Sequence, residues 1–156
     1  SDLKVFLEKQ GDTRAVLKFI FSDENIDQSR PVQKRPFDYV VSALRATGAQ
    51  SDCGRPIQEH LEKMGMAVYQ WPMPDGYPVK PEAWTGTLLA RWNFAAALAK
   101  NEIGGTSVDL EKIGERSQDF AAALMGTPKV DSIKHVASEL PTMAAACLAS
   151  PEFQWR

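Results

Sequence analysis

The sequence is poor in the residues that most site chemistry needs. Its 156 residues include only two histidines, His60 and His135, and two cysteines, Cys53 and Cys147. It has no CxxC, HExxH or GxSxG pattern and no glycine-rich phosphate loop, so the signatures of zinc sites, nucleophile elbows and P-loops are all missing. Cys53 and His60 stand two helical turns apart and so share a face, but two ligands do not make a metal site. The residues imply no metal and no cofactor. Neither sign of charge is in excess: 18 Lys+Arg stand against 20 Asp+Glu, a net charge of −2. That excludes the basic surplus of a dedicated nucleic-acid binder. No run approaches the roughly 18–20 apolar residues of a membrane span. No low-complexity or strongly charged block marks disorder. The start of the sequence also lacks an initiator Met and a basic-then-apolar leader. Ser1-Asp2-Leu3-Lys4-Val5-Phe6-Leu7 is already amphipathic, which implies processed, trimmed or excised material.

What is present is helical patterning. The length suits one helical domain over residues 1–156, which can bury roughly 70% of its unfolded surface. Residues 3–9 and 14–21 read as short helices, the first ended by Gly11 and the second capped by Asp12 or Thr13. Residues 22–35 are polar, contain Pro31, and read as a loop. Pro36 opens a helix to about residue 47, with Phe37, Val40, Val41 and Leu44 on one face and Gly48 as its stop. Pro56 sits in the first turn of the next helix, where Ile57, Leu61 and Met64 share a face. Pro72, Pro74, Pro78 and Pro81 exclude a helix from 65–82. Helix returns over 86–100 and over 109–125, where Leu110, Ile113, Phe120 and Leu124 align and Asp109 caps. A Gly-containing connector spans 101–107. Residues 131–149 are helical, with Pro141 starting a new helix or kinking a long one. Ser150-Pro151-Glu152 has the cap, first-turn proline and acid of a last short turn. No segment alternates over a strand length. The expected fold is all-α, an irregular bundle of about seven or eight helices with one structured Pro/aromatic loop.

That loop is the most unusual stretch: Tyr69-Gln70-Trp71-Pro72-Met73-Pro74-Asp75-Gly76-Tyr77-Pro78, followed by Trp84. Its rings suit stacking on a sugar or on a partner's prolines. The plainer reading is a loop that folds back and packs its rings over helix ends. Pro-Asp-Gly is a turn signal. A second feature is Leu88-Leu89-Ala90-Arg91-Trp92-Asn93-Phe94-Ala95, where Arg91 and Asn93 interrupt an apolar helix. Spacing sets Arg91 beside Ala95 and Leu98, so its head is expected to be partly buried and to need either a carboxylate, with Asp75 or Asp38 as the candidates, or several carbonyls. The functional alternative is an anion or carboxylate site on Arg91. Arg45, on a core-flanking helix, shares the ambiguity. The carboxylates Glu59, Glu62, Glu111 and Glu115 read as solvated faces. Cys147 falls on an apolar helix face. Pairing with Cys53 in an oxidising compartment and two free thiols both stay open.

Four segments together carry a family likeness. They are Lys34-Arg35-Pro36-Phe37-Asp38-Tyr39-Val40-Val41-Ser42-Ala43-Leu44-Arg45-Ala46, the stretch from Met64 through Trp71-Pro72-Met73-Pro74-Asp75-Gly76 to Pro78, Trp84 with Leu88 to Ala95, and the closing Ala149-Ser150-Pro151-Glu152-Phe153-Gln154. In that order they resemble the C-terminal portion of the bacterial domain-of-unknown-function 1800 family. The likeness runs from about residue 2 to the end, with 22–35 and 101–109 as variable loops. Members are longer and often exported. The resemblance therefore implies a C-terminal fragment in a periplasmic or cell-envelope setting, with the N-terminal part of its own protein as one partner. A co-encoded exported protein resembling sulfatases and phosphatases, or an envelope glycan, would be another. It implies no activity and no catalytic residue. The expected role is a binding or scaffold module with Tyr69, Trp71, Asp75, Tyr77, Trp84, Arg91 and Asn93 as candidate contacts. The alternative is one wall of an extracytoplasmic active site completed elsewhere, using Asp75, Arg91 and Asn93.

Overall fold

A computed structural model describes residues 12–28, 31–114, 117–126 and 139–155. The expected helix at 3–9, its Gly11 stop, His135, Glu115 and the stretch 131–138 lie outside them. The chain forms two compact units, Ser1–Pro31 and Val32–Arg156.

In the first unit, α1 spans Thr13–Ile20, and Asp12 caps it by accepting from the amides of Arg14 and Ala15 at 2.9 and 3.2 Å. The polar stretch after it is not all loop, because Asp23–Asp27 forms a short helix, α2. Asp23 and Glu24 in its first turn favour the positive end of the helix dipole. Ser22 precedes α2 without capping it, since its hydroxyl donates back to the Phe19 carbonyl at 2.9 Å.

The second unit holds the core. α3 spans Pro36–Ala46 and α4 spans Arg55–Lys63, each with a proline in its first turn, where the missing N–H costs nothing. Gly48 follows α3 with φ 63°, the left-handed stop expected there. A 3₁₀ helix over Pro81–Thr87 runs into α5, Leu88–Ala99. After a second 3₁₀ turn, Leu110–Lys112, come α6 at Ser117–Met125, α7 at Leu140–Ala149 and α8 at Pro151–Gln154. The described residues thus carry eight α-helices, and the all-α bundle stands. Pro141 begins a helix rather than kinking one. α5 and α7 pack together most extensively, joining Phe94, Ala95 and Leu98 to a core with Met143, Ala144 and Leu148.

Three further local expectations fail. First, 109–125 is not one helix. Gly114 takes φ 145° between the 3₁₀ turn and α6, and Asp109 pairs with Lys112 at 2.7 Å instead of capping. Leu110, Phe120 and Leu124 still reach the core. Second, two-residue strands Gln50–Ser51 (β1) and Thr106–Ser107 (β2) pair antiparallel, with Gln50 opposite Ser107. They are too short to show alternation. Third, α3 is rotated by one position from the face that its largest aliphatics define. It buries Pro36, Tyr39, Val40 and Ala43, while Phe37 is exposed. Tyr39 sets that rotation: its ring meets Phe94 and Phe153 edge-on at 5.9 and 5.8 Å. Its hydroxyl lies 3.2 and 3.1 Å from the carbonyls of Arg91 and Leu148. The α4 face is as expected, with Ile57, Leu61 and Met64 all buried.

Candidate functional site

The Pro/aromatic loop is held by turns and by its own rings. Gly76, with φ 73°, ends the Pro74-Asp75 turn, and its amide reaches back toward the Met73 carbonyl at 3.5 Å. Trp71 packs at a tilt against Tyr77 with ring centroids 4.7 Å apart, and Tyr77 lies 6.3 Å from Trp84. Each ring also has a polar anchor. The Trp71 indole donates to Asp75 at 3.3 Å, the Tyr77 hydroxyl donates to the Ala67 carbonyl, and the Trp84 indole donates to the Pro78 carbonyl at 3.0 Å. Trp84 is buried, while Trp71 and Tyr77 are half-buried. The loop therefore folds back, with Trp84 buried and Trp71 and Tyr77 packed on each other.

Tyr69 is the exception. The Gln70 amide closes a turn on the Ala67 carbonyl at 3.2 Å, and Tyr69 stands at the third position of that turn with φ 60°. Glycine or asparagine normally takes that place, because a side chain there strains the backbone. The Tyr69 side chain nonetheless projects freely, with a relative exposure of 101%. Val68, Met73 and Val79 on the same loop are exposed too. The sequence shows Tyr69 only as one more ring on an aromatic loop. The positive φ carries no sequence signal when the residue is not glycine.

Arg91 is more deeply placed than expected and lacks the expected partner. Its relative exposure is 0%, and it meets neither Asp75 nor Asp38. Asp75 accepts from Trp71, and Asp38 from the Arg35 Nε at 3.2 Å. Arg91 instead donates from Nη1 to Gln154 Oε1 at 2.8 Å and from Nε to Thr87 Oγ1 at 3.0 Å. Its guanidinium carbon lies 5.2 Å from the centre of the Tyr39 ring. An amide, a hydroxyl and a π face thus replace the carboxylate, and Nη2 has no partner among the described residues. Burial pulls the Arg91 pKa below its ordinary value, with the neighbouring Tyr39 opposing, and burial pushes the Tyr39 phenol above its own. Asn93, two residues on, is exposed on another face of α5. The structure joins Trp71, Asp75, Tyr77 and Trp84 into one cluster. It gives Arg91 and Asn93 surroundings of different kinds.

The remaining candidates are accounted for locally. Arg45 is exposed in the last turn of α3, where a cation faces free carbonyls. Arg55 pairs with Glu59 and Glu62, both at 3.1 Å. His60 sets its ring edge-on to Phe94 at 5.3 Å, while Cys53 is exposed with φ 52° ahead of α4. Cys147 is buried in α7, its thiol pushed up to about 11 by burial, and both thiols are free, so the pairing that sequence left open does not form. No three His, Cys, Asp or Glu side chains gather among the described residues. No helix there is long and apolar enough to cross a membrane. An open cleft of about 1000 Å³ lies where α3 and α5 end, lined by residues including Arg45, Thr47, Lys100 and Asp109. None of the seven candidate contacts lines it.

A family model described as a protein of unknown function, DUF1800, matches residues 3–155, which bears out the likeness carried by the four motif segments. No curated protein and no solved structure matches the chain.

Proposed function

The chain belongs to the DUF1800 family, and from that premise we propose that it is a binding module whose 68–79 loop docks on a protein surface, in a periplasmic or cell-envelope setting. The observation that carries this reading is Tyr69: a fully exposed ring on a strained, left-handed backbone. Such strain costs about 1 kcal/mol or more, and it persists where a side chain is needed in that place. A protein partner is favoured over a glycan by what the loop leaves free. Trp71 and Tyr77, whose faces a sugar would use, are half-buried and pack against each other at a tilt. The free groups are Tyr69 with the aliphatic Val68, Met73 and Val79, the mixture typical of a protein interface centre. The partner is the N-terminal part of its own protein or the co-encoded exported sulfatase/phosphatase-like protein. The active-site wall remains the alternative. It requires Asp75, Arg91 and Asn93 on one surface, and Arg91 has no exposed surface.

The test replaces Tyr69 by a photo-crosslinking phenylalanine analogue in the natural protein in its own cells. Crosslinked peptides from one defined protein surface support the reading. Crosslinks to glycan alone, or scattered over many proteins, refute it. Tyr69→Gly completes the test: it relieves the strain and should hold or raise stability by up to ~1 kcal/mol, while partner binding falls at least tenfold.

A further inference from the structure

Arg91 stands between two parts of the molecule that are distant in sequence. On one side is α8: Gln154 accepts from Arg91 Nη1 at 2.8 Å and donates to the Leu148 carbonyl at 3.1 Å. The Gln154 carbonyl accepts from the Lys34 amide at 2.8 Å, and Trp155 bridges to Gln33. On the other side is the aromatic loop. Arg91 Nε donates to Thr87 Oγ1 at 3.0 Å, and that hydroxyl donates to the Trp84 carbonyl at 2.7 Å. The Trp84 indole in turn donates to the Pro78 carbonyl at 3.0 Å, and its ring neighbours Tyr77. The bonds run without a gap from the C-terminal helix to the loop.

The charge makes this path more than a row of contacts. Arg91 has no carboxylate, and its Nη2 already lacks an acceptor. If α8 leaves, Nη1 loses its partner as well, and a buried guanidinium held by one hydroxyl and a ring is too costly to stay. It must swing toward water, and the planar fork takes Nε away from Thr87 as it goes. We propose that Arg91 is a positioning residue that couples the docking of α8 to the order of the 68–84 loop, so that the contact surface forms only with the C-terminal helix in place. The coupling concerns the loop itself, while its meaning for binding rests on the contact-surface reading above.

The experiment follows the indole N–H signals of the 15N-labelled full chain, with the Trp84 signal identified by its loss in Trp84→Phe. Gln154→Asn shortens the amide by one methylene, and Thr87→Val removes the hydroxyl while keeping its shape. Each should shift the Trp84 signal and speed its solvent exchange roughly tenfold, the effect of losing one or two supporting hydrogen bonds. Thr87→Ser should restore both. Ile103→Ala, a core change beyond the C-terminal end of α5, should leave the Trp84 signal in place. An unmoved Trp84 in both Gln154→Asn and Thr87→Val overturns the coupling, and so does an equal response in Ile103→Ala. Because this readout needs no partner, it can succeed while the contact-surface reading fails. Crosslinking at Tyr69 should also fall several-fold in Gln154→Asn. A Trp84 response with full crosslinking overturns the link between the coupling and binding.

Discussion

Two aromatic clusters in the same unit are built by opposite means. Tyr39, Phe94 and Phe153 meet edge-on, with exposures of 0–2%, and each is carried by a helix. Trp71, Tyr77 and Trp84 meet at tilted angles along a proline-rich loop and its 3₁₀ extension, and each is fastened by one hydrogen bond. In the first cluster, apolar burial fixes the rings, and a change in ring volume is felt throughout the core. In the second, turn geometry and single polar anchors fix them, so the cluster can hold a loop in shape while leaving Tyr69 free. Stability belongs to the helical cluster and presentation to the loop. Arg91, touching Tyr39 on one side and Thr87 on the other, is where the two meet.

The largest effect that would break this contrast lies at Phe94. Phe94→Ala should cost about 3–5 kcal/mol, because the side chain is fully buried and two rings, Tyr39 and His60, border the gap it would leave. Urea unfolding followed by far-UV circular dichroism measures it. A cost below about 1 kcal/mol would mean that the helical cluster is not the mainstay assigned to it. A smaller effect is expected at Trp84. Trp84→Phe keeps a ring but removes the donor to the Pro78 carbonyl, and should cost about 1–2 kcal/mol. Limited proteolysis should then cut between 68 and 80 sooner, with the rest of the unit intact. Cleavage that instead begins in α5 or α7 would contradict the separation of the two clusters.

Much of the scaffold was legible because its signals are local. Prolines at 36 and 56, Gly48, and the Ser150-Pro151-Glu152 cap mark helix ends by backbone chemistry alone. The family likeness was equally readable. What escaped is decided by distant partners. The face of α3 depends on where the Tyr39 hydroxyl finds carbonyls on α5 and α7. Periodicity weighs aliphatic residues and overlooks a tyrosine with a polar tip. A buried charge points first to its opposite or to several carbonyls, so the sequence directs Arg91 to Asp75 or Asp38. The partner it finds is a neutral amide 63 positions away, and nothing in the sequence separates Gln154 from any other glutamine. The exposed Tyr69 was visible as a residue, but its strained backbone was not, since only the turn closing on Ala67 creates it.

The smallest effect sharpens the contrast from its edge, at His60. This ring, half-buried in the last turn of α4, borders the helical cluster through Phe94. Burial lowers its pKa from the ordinary 6.5, the nearby Lys63 adds to that, and Glu59 opposes. The folded state therefore holds the proton less tightly than the unfolded chain. The His60 contribution is complete above pH 6.5, is lost as pH falls from there through the lower folded-state value, and then levels off. Wild-type stability should thus decline across that window relative to His60→Gln, which cannot titrate, and urea midpoints for the two proteins from pH 8 to pH 5 measure the difference. Parallel curves would mean that His60 is as well solvated folded as unfolded. The edge of the helical cluster would then be open to water, and the line drawn between a buried core and a presented loop would have to move inward.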